Sequence, residues 1–122
     1  MEAGGIALIV NAVSTTEVVG DFWKADAGYY FLVADITLET TTRETAPYNP
    51  FYFSLKDAKG FEYSPAIVAP KPQLQHGDLA QGEKVRGNVA FEIPTDSQGL
   101  ILSYEPLVLL GGYKPLKVDL GH

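Results

Sequence analysis

The amino-acid sequence predicts an all-β fold, a sandwich of two packed antiparallel sheets. Three observations support this prediction. Twelve glycines and eight prolines divide the chain into apolar segments of about five to twelve residues. Several of these segments alternate apolar and polar side chains, the period of a strand with one face on a core. No window of about eleven residues carries the uninterrupted 3.6-residue apolar period of a helix.

The clearest predicted strand covers residues 29–40. One face of this strand carries only apolar side chains: Tyr30, Leu32, Ala34, Ile36 and Leu38. The other face begins with Phe31 and Val33 and becomes polar from Asp35 onward. Because the first half is apolar on both faces, we expect another segment to cover it, such as the loop that carries Trp23.

A second alternating segment predicts a strand over 84–93. Its apolar positions include Val89 and Phe91, and Pro94 ends the segment because proline has no N–H to donate. We expect Leu32, Ile36, Val89 and Phe91 to lie together in the core.

The segments 51–56 and 61–64 predict a hairpin. Apolar and polar residues alternate before the turn at 57–60, and Gly60 suits the left-handed position of a four- or five-residue turn. The predicted strands are 6–13, 29–40, 51–56, 61–64, 84–93, 99–105 and 114–120.

The long segment 65–83 carries three prolines and predicts a connection between sheets, with a short edge strand near Leu74. About seven short strands over ~100 residues are typical of an immunoglobulin-like β-sandwich. A small Greek-key barrel is the alternative that strand counting leaves open. The length of 122 residues predicts a single domain over 1–122.

Composition excludes several classes of function. The absence of cysteine excludes disulfides, thiolate metal sites and a cysteine nucleophile. Two histidines argue against a multi-histidine metal site, so we expect no metal and no cofactor. The net charge of −6 argues against nucleic acid or an anionic membrane as partner. The apolar run 6–10 is far shorter than the ~20 residues that span a bilayer and does not resemble a signal peptide.

No catalytic residues are predicted. Asp21 and Asp26 lie in one loop, but glycoside hydrolysis needs a second carboxylate across the substrate, so surface acids are the favoured interpretation. His76 lies in a glycine-containing loop without a G-x-S-x-G nucleophile motif, which favours a solvated histidine.

Loop aromatics are the candidate binding residues. Trp23 follows Phe22 in one loop, and Tyr48, Phe51 and Tyr52 surround Asn49 and Pro50 in another. Such side chains suit interfaces and sugar stacking because they combine an apolar ring with a polar tip. The favoured interpretation is that these aromatics close the ends of the core of a small sandwich, and they are the first residues to consider if the protein has a binding site.

Three segments resemble a known family: 28–39, with a glycine and an aromatic-led strand; 53–63, with its Asp–Gly hairpin; and 79–94, which is the most specific. Together they are similar to a bacterial uncharacterised domain family of secreted proteins and lipoproteins. The fold of that family is similar to that of the mycobacterial immunoprotective extracellular antigen. The resemblance covers residues 6–120 and departs at 40–42, where such domains often have asparagine.

The resemblance implies an immunoglobulin-like sandwich, an extracytoplasmic location that depends on an export signal absent from this chain, and no enzymatic activity. The residues of 79–94 also have a physical interpretation. Gly82 permits a turn, Glu83 can accept hydrogen bonds from loop amides, and Gly87 permits a close approach.

Three functional hypotheses follow. The first is a non-enzymatic binding or spacer module of the bacterial cell envelope, which presents loop aromatics or a sheet edge to a protein or glycan. The second is a carbohydrate-active or hydrolytic accessory domain that uses loop carboxylates. The third is a structural domain that forms a homodimer through an apolar face with Phe31 and Val33.

Overall fold

The computed structural model describes residues 2–3, 6–41, 45–105 and 116–122. The strands are β1 (Glu2–Ala3), β2 (Ile6–Thr16), β3 (Val18–Val19), β4 (Trp23–Lys24), β5 (Tyr29–Thr40), β6 (Thr45–Tyr48), β7 (Phe53–Lys56), β8 (Glu62–Tyr63), β9 (Gly77–Ala80), β10 (Lys84–Pro94), β11 (Ile101–Tyr104) and β12 (Leu116–Asp119). A short 3-10 helix covers Pro50–Tyr52. In the described part of the chain, no helix is long and apolar enough to cross a membrane.

Two four-stranded sheets form the sandwich. The first has the order β1-β2-β5-β10 and the second the order β12-β11-β7-β8, with antiparallel neighbours in both. Two small ribbons, β3-β4 and β6-β9, accompany them. Across the described residues the sheets do not close into a barrel. The predicted sandwich is confirmed and the barrel alternative is wrong.

The core lies between the two sheets. Phe91 of β10 stands opposite Leu32 of β5, and Val89 stands opposite Ala34, so the apolar faces of the two longest strands coincide. The second sheet supplies Phe53, whose ring lies 4.6 Å from that of Tyr104. All four predicted core residues, Leu32, Ile36, Val89 and Phe91, are buried as expected.

The bounds of two strands differ from the sequence prediction, one at a β-bulge and one at a short 3-10 helix. β2 continues to Thr16, and its register with β5 shifts by one residue at a bulge between Val10 and Ala12. The strand predicted from residue 51 begins only at Phe53. Pro50 initiates the 3-10 helix, and the Asn49 side chain accepts a hydrogen bond from the Phe51 N–H, which caps that helix. Residues 114 and 115 of the last predicted strand lie outside the described residues.

The ribbon of β6 and β9 was not predicted. It pairs Ala46 with Leu79, and both side chains are buried in the core. β9 lies inside the segment that was predicted as a connection. The edge strand expected near Leu74 is reduced to a single parallel bridge between Gln73 and Asn88, although Leu74 itself is buried.

A second apolar cluster lies on the outer face of the first sheet. Phe31 and Val33 of β5 are buried there against Val19 of the β3-β4 hairpin and Ala69 of the 65–76 connection. The expected cover by the loop that carries Trp23 is therefore confirmed, and the connection adds to it. The expectation that Phe31 and Val33 present an exposed apolar face is wrong.

The predicted turns follow their side-chain chemistry. Gly60 has φ 90°, and Asp57 Oδ1 accepts hydrogen bonds from the N–H groups of Lys59 and Phe61, both at 3.0 Å. Gly82 has φ 81°, and Glu83 Oε1 accepts from the Ala80 N–H at 2.7 Å. Both local predictions are confirmed.

A charged pair links β5 and β10 on the outer face. Arg86 donates two hydrogen bonds to Asp35, at 2.8 and 3.0 Å, and the Asn11 side chain donates a third. Hydrogen bonding from Arg86 lowers the pKa of the Asp35 carboxyl. Because the folded pKa is depressed, the stabilisation is present above the unfolded carboxyl pKa of about 4 and is lost as pH falls through the folded value.

We therefore expect Asp35→Asn to lower the thermal midpoint at pH 7 by no more than a few degrees, since its partner Arg86 is largely exposed to solvent. The difference from the parent protein should disappear in strong acid. Thermal melts across pH measure it, with Asp21→Asn as an equal change of charge outside this pair. A constant difference at all pH values would contradict the assignment.

Candidate functional site

An open cleft of about 440 Å3 lies at the end of the sandwich where β5 begins and β10 ends. One wall is the hairpin between β7 and β8, and the other is the turn that follows β10. The side chains that define its chemistry are Tyr29, Asp57, Lys59, Phe61, Tyr63 and Asp96. This volume is within the usual range for a small-molecule site.

Backbone contacts hold the walls in place. Pro94 stands opposite Tyr29 in the β5-β10 register, and the Thr95 N–H donates to the Gly28 carbonyl. The Ala58 N–H donates to the Gln98 carbonyl at 2.9 Å, which joins the hairpin to the opposite turn. The cleft is therefore built on strand ends and tight turns rather than on a long loop.

Asp57 organises the hairpin wall. Its Oδ1 bonds to the two turn amides described above, and its Oδ2 accepts a hydrogen bond from the Tyr63 hydroxyl at 3.1 Å. Burial raises the pKa of the Tyr63 hydroxyl, and the Asp57 carboxylate raises it further. Tyr63 therefore remains a protonated donor near neutral pH, and Asp57 is a negative charge held in one orientation.

The other side chains of the cleft face solvent. Tyr29 is 41% exposed and Phe61 is 62% exposed, so both rings are available to a ligand. Asp96 is exposed, and its carboxylate accepts no hydrogen bond from any described residue. The arrangement combines aromatic surfaces, fixed negative charge and hydroxyl groups, which suits noncovalent recognition.

The arrangement does not resemble a catalytic pair. Both oxygens of Asp57 are engaged within the hairpin, and no histidine is among the described residues that line the cleft. His76 is exposed in the connection before β9. Among the described residues, no group of three histidine, aspartate or glutamate side chains could hold a metal ion.

The four aromatic candidates predicted from the sequence are not brought together. Trp23 lies on β4, in the hairpin that covers the outer face of β5, and is 47% exposed. Tyr48, Phe51 and Tyr52 precede β7, whose other end leads into the cleft hairpin. They therefore lie toward the opposite end of the sandwich.

Two of these candidates pack against the core. Tyr48 and Tyr52 are half-buried, and the Tyr52 ring lies 6.1 Å from the Tyr104 ring. Phe51 points outward and is 59% exposed. Tyr48 and Tyr52 thus close one end of the core, while Phe51 and Trp23 are accessible to a partner.

Sequence reasoning did not identify Tyr29 and Phe61. Phe61 directly follows the turn glycine, and Tyr29 is the first residue of β5, so both lie where a strand leaves the sheet. The available signal for these two candidates was an aromatic residue beside a tight turn. Nothing in the local sequence indicates that Tyr29 and the segments 57–63 and 94–98 meet in the folded protein.

The family model of a domain of unknown function, DUF4352, matches residues 1–114. None of the curated proteins compared with the chain matches it. The predicted resemblance to an uncharacterised bacterial domain family is confirmed by the family match.

Solved structures share the fold. A candidate lipoprotein, ycdA from Bacillus subtilis, is 17% identical with a TM-score of 0.77 over 97% of this chain, which spans only 38% of that protein. The yjhA protein of B. subtilis is 26% identical with a TM-score of 0.67, over 87% of this chain and 76% of its own. The secreted protein MPT63 of Mycobacterium tuberculosis is 19% identical with a TM-score of 0.64, over 82% and 74%.

Proposed function

The chain belongs to the DUF4352 family, and we propose that it is a non-enzymatic binding module of the bacterial cell envelope. Its similarity to a candidate lipoprotein and to a secreted protein supports a location outside the cytoplasm. The observation that carries the binding function is the open cleft with two exposed rings on a rigid frame.

Rigidity supports recognition because a preorganised site loses little conformational freedom on binding. The hairpin wall is held by three hydrogen bonds to Asp57 and by the bond from Ala58 to Gln98. The backbone at Phe61 is therefore held in place, and the exposed rings of Phe61 and Tyr29 present apolar surface with polar groups around them. Trp23, on the hairpin that covers the outer face of the first sheet, is a further accessible ring outside the cleft.

A hydrolytic function is less well supported by the same residues. A general acid or base must reach the proton that it transfers. Asp57 is held by the hairpin, and Asp96 is an exposed carboxylate with no base or nucleophile hydrogen-bonded to it in the described structure. Among the described residues that line the cleft, the one hydrogen-bonded pair of titratable side chains is Tyr63 and Asp57, and the Asp57 carboxylate of that pair is already engaged by the turn amides.

The binding function predicts that Phe61→Ala weakens retention of a ligand about tenfold, as expected for a central aromatic contact. An array that displays glycans together with basic, acidic and neutral peptides measures this with the intact chain. Because Phe61 is mostly exposed, the variant should keep its stability within about 0.5 kcal/mol.

Phe51→Ala is the matched control, because it removes an equally exposed phenylalanine from the other end of the sandwich. Loss of binding in Phe51→Ala alone would assign the site to the surface of Tyr48, Phe51 and Tyr52. A parent protein that retains no ligand on the array would indicate a spacer instead of a binding module.

A further inference from the structure

We propose that the cleft binds an organic cation, an ammonium or guanidinium group on an apolar stem, as carried by the side chains of a basic partner peptide. This inference rests on the proposed binding function and specifies its ligand. It combines the charge of the cleft end, the exposed rings and the orientation of the carboxylates.

Negative charge predominates in the walls of the cleft. The two wall segments, 57–62 and 94–99, contain three carboxylates and one lysine. Their net charge is −2, in a chain whose net charge is −6. A surface of one charge sign attracts ligands of the opposite sign and repels anions.

The exposed rings favour a cation with an apolar stem. A cation above the face of Tyr29 or Phe61 is attracted by the ring quadrupole, and the methylene groups of a lysine or arginine cover apolar ring surface. A neutral sugar could also stack on these rings, but it would gain little from the surrounding carboxylates. The combination of rings and carboxylates therefore selects for a cation.

The carboxylates of the cleft have different roles. Asp57 contributes negative charge at a fixed position, because its oxygens are held by the hairpin amides and by Tyr63. Asp96 accepts no hydrogen bond from a described residue, so it is free to pair with an incoming ammonium group. Lys59 is the competing cation in the lining, and its exposed flexible stem can turn away into solvent.

Neutralising Asp96 and neutralising Lys59 should therefore change the affinity for a cationic ligand in opposite directions. A blocked tetralysine peptide should bind about tenfold more tightly than its fully Nε-acetylated form, which keeps the stem and loses the charge. Asp96→Asn should weaken tetralysine binding about three- to fivefold, and Lys59→Gln should strengthen it about twofold. Calorimetric titrations at low salt and at about 0.15 M salt measure all three effects, which should shrink with salt.

Asp78→Asn is the matched control, because it removes one exposed carboxylate from β9, away from the cleft. Equal weakening by Asp78→Asn and Asp96→Asn would indicate attraction to the whole acidic chain and would overturn the proposal. Equal binding of the acetylated and unmodified peptides would also overturn it. Phe61→Leu should weaken the tetralysine complex about threefold, because it keeps an apolar side chain and removes the ring.

Two further outcomes separate this inference from the proposed function. If the protein retains a neutral glycan, loses it in Phe61→Ala and does not bind tetralysine, the proposed cationic ligand is wrong and the proposed binding function stands. If spermine binds as tightly as tetralysine, the preference for an organic cation is supported and the proposal that a basic peptide supplies this cation is wrong.

Discussion

Replacement of Gly87 by alanine is expected to lower the free energy of unfolding by about 1–3 kcal/mol, and replacement by valine by more. Gly87 lies in β10 opposite Ile36, where the connection runs parallel to the strand. A Cβ atom at Gly87 would lie 2.7 Å from both the N and Cα atoms of Leu74. No rotamer change can relieve this clash, because the obstacle is backbone.

Hydrogen bonds on both sides prevent the connection from moving away. The Leu74 N–H donates to the Asn88 carbonyl at 3.0 Å, and the Asn88 N–H donates to the Pro72 carbonyl at 2.8 Å. Displacement of the connection would break these bonds and expose Leu74, which is buried in the core. The predicted close approach at Gly87 is confirmed, and its partner is the backbone of this connection.

Gly77→Ala is the matched control, because Gly77 also lies in a strand without a positive φ. A Cβ atom there would lie 3.0 Å from the Tyr48 hydroxyl oxygen, at the end of a half-buried side chain that can shift. We expect a smaller loss of stability in urea unfolding. Equal stabilities of the two variants would contradict the role of the Leu74 backbone.

Phe91→Ala is expected to have the largest effect on stability, a loss of about 3–5 kcal/mol. The Phe91 side chain is fully buried beside Leu32 in the main core. The substitution removes the transfer free energy of the ring and leaves a cavity that the surrounding strands cannot fill. This loss is a large fraction of the total stability of a small domain, which is about 5–15 kcal/mol.

Phe91→Leu keeps the experiment informative if Phe91→Ala does not fold, because it retains most of the apolar volume and should lose less stability. Phe51→Ala removes the same ring from a position that is 59% exposed and should change stability by less than about 0.5 kcal/mol. Chemical denaturation of the three variants tests the order. Equal losses for Phe91→Ala and Phe51→Ala would contradict the assignment of the core.

The long strands could be predicted because their signal is local. In β5, the alternation of Leu32, Ala34 and Ile36 determines both the extent of the strand and the face that meets the core. The turns at Gly60 and Gly82 are equally local, since each depends on a glycine and a neighbouring carboxylate. The sequence by itself therefore determined the fold class, the main core and the chemistry of these turns.

Only the tertiary structure decided where the candidate site lies and what covers the outer face of β5. β6 pairs with β9 across about thirty residues of chain, and Phe31 is covered by segments on both sides of it in sequence. The cleft likewise requires Tyr29, the β7-β8 hairpin and the turn after β10 to meet. Alternation along a strand reports which side chains are buried, but it does not report which distant loops share an end of the sandwich. For that reason the local sequence does not distinguish Trp23 from Phe51 as candidate binding residues. Phe61 becomes a candidate only because the tertiary structure places its hairpin and Tyr29 in one cleft.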